Sequence, residues 1–158
     1  MLYRIFHLTL LAALFALTGC DTGYRLVKEE PKYRQLNMYD KTVFLYSIDD
    51  LYTAASTEPR HAFAEDLFPA VLYAKQNPDL DIVVRVFGGD ATFSDRTLSE
   101  NSFRAETIAA LFWQQGIDFS RLRYQGFAGG VHNVATEKSA EGSKLNRRVQ
   151  ISFMPKLG

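Results

Sequence analysis

The rhythm of hydrophobic and polar positions changes several times along the chain, and each change predicts an element. An apolar run from Leu8 to Leu17 comes first. From Asp21 to about Leu36 no period of two or 3.6 is sustained and Pro31 intervenes, so this stretch reads as a tether. Its sixteen or so residues reach roughly 50 Å at most when extended. T-V-F-L-Y-S, residues 42–47, is β-branched and aromatic, as a strand should be. Phe63, Leu67, Ala70, Val71 and Ala74 recur at helical spacing and predict an amphipathic helix over 60–76. Pro69 inside it implies either a kink or two short helices.

Turn chemistry in Q-N-P-D-L-D, 76–81, leads into a second strand, I-V-V-R-V-F, 82–87. G-G-D-A-T-F-S-D-R, 88–96, is read as a loop, and T-L-S-E, 97–100, as a capping box with Thr97 as cap and Glu100 answering it. The helix opened there runs to Gln115, with Gly116 as its stop. A third strand near 121–126, a Gly-containing loop over 127–141 and a last strand from about 145 to 154 complete the series. The order βαβαββ predicts an α+β domain with one mixed four-stranded sheet and helices packed on one face.

Two positions in this pattern carry chemistry. On the second helix Leu98, Asn101, Ala105, Ile108, Ala109 and Phe112 define the buried stripe. Arg104 falls roughly 90° from its centre, at the rim where a side chain can line a pocket. At the entrance of the last strand stand Asn146, Arg147 and Arg148. Adjacent arginines on a strand point to opposite faces, so at least one of the pair needs a carboxylate, a carbonyl or a ligand.

Composition narrows the function. The chain has 158 residues, 47% hydrophobic, with 18 basic and 18 acidic side chains. That balance gives no basic surface for nucleic acid and no sign of disorder. The length suits one domain with accessories. His61 and His132 are isolated and show no ligand spacing, so no metal or cofactor is expected. G-F-A-G-G, 126–130, lacks the lysine of a phosphate loop, and no serine stands in a nucleophile elbow. An enzyme is not expected.

The single cysteine, Cys20, is explained by what precedes it. Arg4, the apolar run and the small residues Thr18 and Gly19 follow the plan of a signal peptide. L-T-G-C, 17–20, closely resembles the bacterial lipobox, which implies cleavage before Cys20 and lipid on that residue. Several acyl chains hold a membrane far better than one. Residues 1–19 are therefore read as a lipoprotein signal peptide, 20–38 as lipidated cysteine and tether, and 39–158 as the folded domain.

Four stretches of that domain resemble the OmpA-like peptidoglycan-binding family, which includes the peptidoglycan-associated lipoproteins: L-S-E-N-S-F-R-A (98–105), Q-Q-G-I-D (114–118), Y-Q-G-F-A (124–128) and L-N-R-R-V-Q-I (145–151). The resemblance implies a non-catalytic anchor that binds the diaminopimelate of the peptidoglycan stem peptide. An aspartate would take the ammonium and an arginine the carboxylate, bidentately. By match these are Asp90 and Arg104, with help from the backbone amides around Leu98 and Ser99 at the helix start.

The loop departs from the family pattern: G-G-D stands where a G-H-T-D-like run is usual. Asp95 is an alternative acid, and Thr97 or Asp95 replaces the asparagine that usually precedes the helix. Asn146 and one of Arg147 or Arg148 would support the pocket. The same resemblance admits a docking subunit of an envelope-spanning secretion machine, of the type IVB class, with weak or lost wall binding. It also implies an outer-membrane location, lipid-anchored and facing the periplasm. Asp21, after the lipidated cysteine, resembles an inner-membrane retention signal.

Overall fold

The computed structural model describes residues 31–88, 92–135 and 139–156. Its elements in chain order are β1 (Tyr33–Asn37), β2 (Thr42–Ser47), α1 (Ile48–Leu51), α2 (Phe63–Gln76), β3 (Leu80–Phe87), α3 (Asp95–Gln114), β4 (Leu122–Phe127), α4 (Ala140–Asn146) and β5 (Arg148–Pro155). Single 3-10 turns lie at Phe119–Arg121 and Gly130–His132. The sheet order is β1-β2-β5-β3-β4. β3 and β4 are parallel, joined across α3, and the other neighbours are antiparallel.

Register aligns the core in rows. Phe44 faces Ile151, which faces Val84; Tyr46, Val149 and Val86 form the next row. All six are buried. From α2 the stripe Phe63, Leu67, Ala70, Val71 and Ala74 is buried as its spacing predicts, and Ile108, Ala109 and Phe112 come from α3. Pro69 does not divide α2, which is continuous over Phe63–Gln76. The carbonyl that the proline leaves without a donor belongs to Glu65, an exposed residue where water can serve.

Several expectations are corrected. The sheet has five strands, not four, and β1 comes from the segment read as tether. Four of its five residues are exposed, so burial imprints no alternation on its sequence. α3 begins at Asp95, capped by Ser94, whose Oγ accepts from the Thr97 N–H at 3.4 Å. Thr97 is thus the third helical residue and not the cap. The last strand begins at Arg148, because Ser139 caps the short α4, which ends at Asn146. Trp113 on α3 is 60% exposed beside Ala109, Ala110, Phe119 and Tyr124, which line a shallow apolar groove.

Gly126 explains why α3 lies so close to β4. A Cβ there would collide with the Ser102 amide and stand 2.5 Å from the carbonyl carbon of Asn101. Only glycine lets the helix come down at that point.

Candidate functional site: a buried arginine beneath a surface turn

Arg104 belongs to the buried stripe of α3 and is only 5% exposed. Leu98, expected in the stripe, is half-buried, and Arg104, expected at its rim, is buried instead. The guanidinium is held on every edge. Nη1 donates to Asn101 Oδ1 at 2.8 Å. Nε and Nη2 both donate to the Ser56 carbonyl oxygen, at 3.3 and 2.7 Å. Glu100 Oε2 lies 3.7 Å from Nη2. Below, the Tyr52 ring sits 5.7 Å from the guanidinium carbon, and its hydroxyl donates to the Arg104 carbonyl at 2.8 Å.

Asn101 is the joint of this arrangement. It is fully buried, and while its oxygen receives Arg104, its Nδ2 donates to the Phe127 carbonyl at 2.7 Å. The amide thereby ties the arginine to the end of β4, immediately above the close approach at Gly126.

Charge at the site is unbalanced. Glu100 is shared with Arg96, whose Nε lies 2.8 Å from Oε1, and Asp49 is engaged by Arg147 at 3.1 Å. Three guanidiniums therefore meet two carboxylates. Burial, the largest influence, pulls Arg104 below its ordinary pKa; Glu100 opposes this and Arg147 adds to it. Arginine stays protonated regardless, so among the described residues the buried cation has less negative charge around it than positive. The Arg96 hydrogen bond is the chief cause that holds Glu100 below the usual carboxylate range. The Tyr52 hydroxyl is raised by burial, against the field of Arg104.

The other predicted residues fall in distinct places. Asp90 lies outside the described residues, as do Cys20 and Asp21. Asp95 is exposed as the first residue of α3. Because the helix starts there, the Leu98 N–H already donates to the Ser94 carbonyl at 2.9 Å and is not offered to a ligand. Asn146, fully buried, accepts from the Val134 and Ala135 amides at 2.9 and 3.0 Å and donates to the Ala135 carbonyl at 2.9 Å. It pins the 134–135 segment to the end of α4.

Arg147 and Arg148 do diverge, and both find partners. Arg147 reaches Asp49 on α1. Arg148 stacks with its guanidinium carbon 4.0 Å from the Phe87 ring centre and donates to the His132 carbonyl at 3.1 Å. Burial lowers its pKa as well. Phe87, at the end of β3, also stacks on Phe127 with ring centres 4.9 Å apart. Arg148 thus braces the end of β3, where the chain leaves for the 88–94 segment.

Sequence reasoning missed Ser56 and Tyr52, which lie far from Arg104 along the chain. The polar Asn101 in an otherwise apolar stripe was the one available sign of a buried polar joint. Among the described residues no group of three or more His, Cys, Asp or Glu could hold a metal ion.

No family model matches the chain. It is 29% identical over 104 residues to the probable lipoprotein YiaD of Escherichia coli K12, a match that covers 66% of this chain and 47% of that protein. The chain therefore spans about half the length of that relative. It is also 29% identical over 139 residues to outer membrane protein A of Bordetella avium, covering 86% of this chain and 68% of the relative. Among solved structures, the cell wall anchor of the type VI secretion system of Pseudomonas aeruginosa superposes with a TM-score of 0.67 at 23% identity, over 79% of this chain and 89% of that one. The sheet order and these likenesses together give the folded part of the chain the fold of OmpA-like domains.

Proposed function

We propose that the chain is a non-catalytic anchor of the cell envelope, which binds the diaminopimelate of peptidoglycan and ties a membrane to the wall. The observation that carries this reading is Arg104: a buried guanidinium whose Nε/Nη2 edge donates its hydrogen bonds to an uncharged carbonyl in a surface turn, with Glu100 Oε2 farther off at 3.7 Å from Nη2. A carboxylate is the natural partner for that edge, because two oxygens match two parallel N–H donors and supply the missing charge. Asp90 or Asp95 would take the ammonium. Arg148 would brace the loop after β3, and Asn146 the neighbouring 134–135 segment. Lipid on Cys20 would hold the membrane, with the outer membrane as the location and Asp21 as the feature favouring the inner one. The relatives, a probable lipoprotein and an outer membrane protein, support an envelope location.

A titration of the full chain, in detergent, with diaminopimelate-containing muropeptide tests the reading. Saturable amide shifts around 92–105, absent in a folded Arg104→Ala protein, are expected. A well-folded protein with no shifts at high ligand concentration would remove direct wall binding.

The exposed apolar groove at Trp113, Phe119 and Tyr124 favours a second reading, a docking subunit of an envelope-spanning secretion machine. The cell wall anchor of a secretion system among the structural neighbours supports the same idea. Absence of muropeptide binding together with retention of Arg104→Ala protein in an envelope complex is its expected signature.

A further inference from the structure

The turn that covers Arg104 has features of a removable part. Ser56 accepts both Nε–H and Nη2–H on one carbonyl oxygen, at 3.3 and 2.7 Å. This is the edge that grips a carboxylate with two parallel bonds; here both hydrogen bonds go to one neutral acceptor, and Glu100 Oε2 stands 3.7 Å from Nη2, beyond hydrogen-bond reach. The opposite nitrogen is committed to Asn101. A ligand carboxylate that seeks the fork must therefore displace Ser56.

The turn can open above a fixed base. Its bonds run within itself: Thr53 N–H to the Glu58 carbonyl at 2.9 Å, Ser56 N–H to the Thr53 carbonyl at 3.1 Å, and Glu58 N–H to Ser56 Oγ at 3.0 Å. A bridge between Tyr52 and Pro59 closes its base, and Arg60 Nε fastens that base by donating to the Tyr52 carbonyl at 3.0 Å. With the base held, a change of backbone angle between Thr53 and Ser56 opens the Ser56 N–H to Thr53 bond and draws the Ser56 carbonyl off Arg104.

Ala55, beside Ser56, supplies the second observation. Its φ is +53°, the one positive value among the described non-glycine residues. It is the third residue of the Thr53–Ser56 turn, a position where a positive φ favours glycine. The residue is exposed, so no packing explains why an alanine holds this conformation. Backbone strain of this kind collects at segments that switch.

We infer that the 53–58 turn is a built-in plug for the anion seat: the Ser56 carbonyl occupies the Nε/Nη2 edge of Arg104 in the free protein and leaves when a carboxylate arrives. This rests on the reading of Arg104 as the carboxylate seat. Strain at Ala55 keeps the plug loose, so residue 55 sets affinity without touching the ligand. Where the plugged form dominates, apparent affinity scales with the fraction unplugged.

The test uses substitutions of opposite sign at this exposed position in the full chain in detergent. Ala55→Gly removes the positive-φ penalty and tightens the plug, and a muropeptide affinity about fivefold weaker is expected. Ala55→Val disfavours the left-handed conformation further, and an affinity stronger by about threefold is expected. Equal affinities in all three proteins would overturn the plug. If none of the three binds muropeptide, the wall reading fails and hydrogen exchange at the Arg104 Nε–H decides. Slower exchange in Ala55→Gly and faster in Ala55→Val keeps the plug, whereas unchanged exchange removes it.

Discussion

Among the described residues two arginines are buried, and they are employed differently. Arg121, 8% exposed, donates from Nε to the Leu80 carbonyl at 2.8 Å and from Nη2 to the Ala74 and Asn77 carbonyls at 3.2 and 2.8 Å. Its acceptors are the last turn of α2, the turn after it and the first residue of β3. Arg121 thus supplies donors where the helix ends and the strand begins, and a cation there also suits the helix dipole. Arg104, equally buried, gives its best edge to a carbonyl in a surface turn and needs a side-chain amide to hold the rest. Burial alone therefore does not mark a functional arginine. Under the proposed reading, what separates the two is whether the acceptors can leave.

The largest expected effect exposes that difference. Arg121→Ala takes a donor from three carbonyls, of which Asn77 keeps only the Leu80 N–H at 3.3 Å, and should cost about 4 kcal/mol, since an unsatisfied buried acceptor costs roughly 1–3 kcal/mol. Arg104→Ala frees the Ser56 turn to meet water and should cost only about 2 kcal/mol. Urea denaturation of both variants measures the gap. Equal losses would abolish the distinction between a fixed clasp and a yielding one.

Gly126→Ala should come next, at about 3 kcal/mol, because the new methyl meets helix backbone that cannot move aside cheaply. The strain enters at Asn101 and Ser102, directly under the Arg104 seat and away from Arg121. Hydrogen exchange should therefore quicken along the first half of α3 and stay slow at the 74–80 turn. A uniform loss of protection would show that the two arginines share one cooperative frame.

Asn101→Ala should cost about 2 kcal/mol, having removed one acceptor from Arg104 and one donor from the Phe127 carbonyl. Under the proposed reading it also loosens the guanidinium, so muropeptide affinity should fall along with stability. Thermal melts paired with titration would separate a purely structural amide, which lowers only the first.

How much of this was legible in the sequence follows from burial. β2, β3 and the stripes of α2 and α3 each have a face against the core, and their patterns give them away. β1 has almost no buried face, α1 has four residues and α4 contains a glycine, so none leaves a period to detect. Ser94 and Thr97 are both plausible caps; the choice of Ser94 adds nearly a turn to α3 and withdraws the Leu98 amide from any ligand. Arg104 was visible as an arginine near a buried stripe. Its partner Ser56 was not, because a backbone carbonyl carries no side-chain signature and lies 48 residues away.

The smallest effect concerns pH. Glu100 is held below its ordinary pKa, chiefly by its hydrogen bond from Arg96 and further by the fields of Arg104 and Arg147. A carboxylate whose folded pKa is depressed adds stability that is present above its unfolded value, near 4.5, and is lost as pH falls through the folded one. Glu100→Gln should therefore flatten the stability profile slightly below about pH 4.5 and leave its shape at neutral pH unchanged. The pair with Arg96 is solvent-exposed, so the flattening should shrink in high salt. Its value lies in the contrast with Arg121, whose recorded acceptors are carbonyls that do not titrate. Followed by exchange across the acid range, the Arg104 Nε–H should quicken as Glu100 protonates, while the Arg121 Nε–H should show no matching step. If both change together, the acid response belongs to the whole fold and the two arginines cannot be told apart by charge.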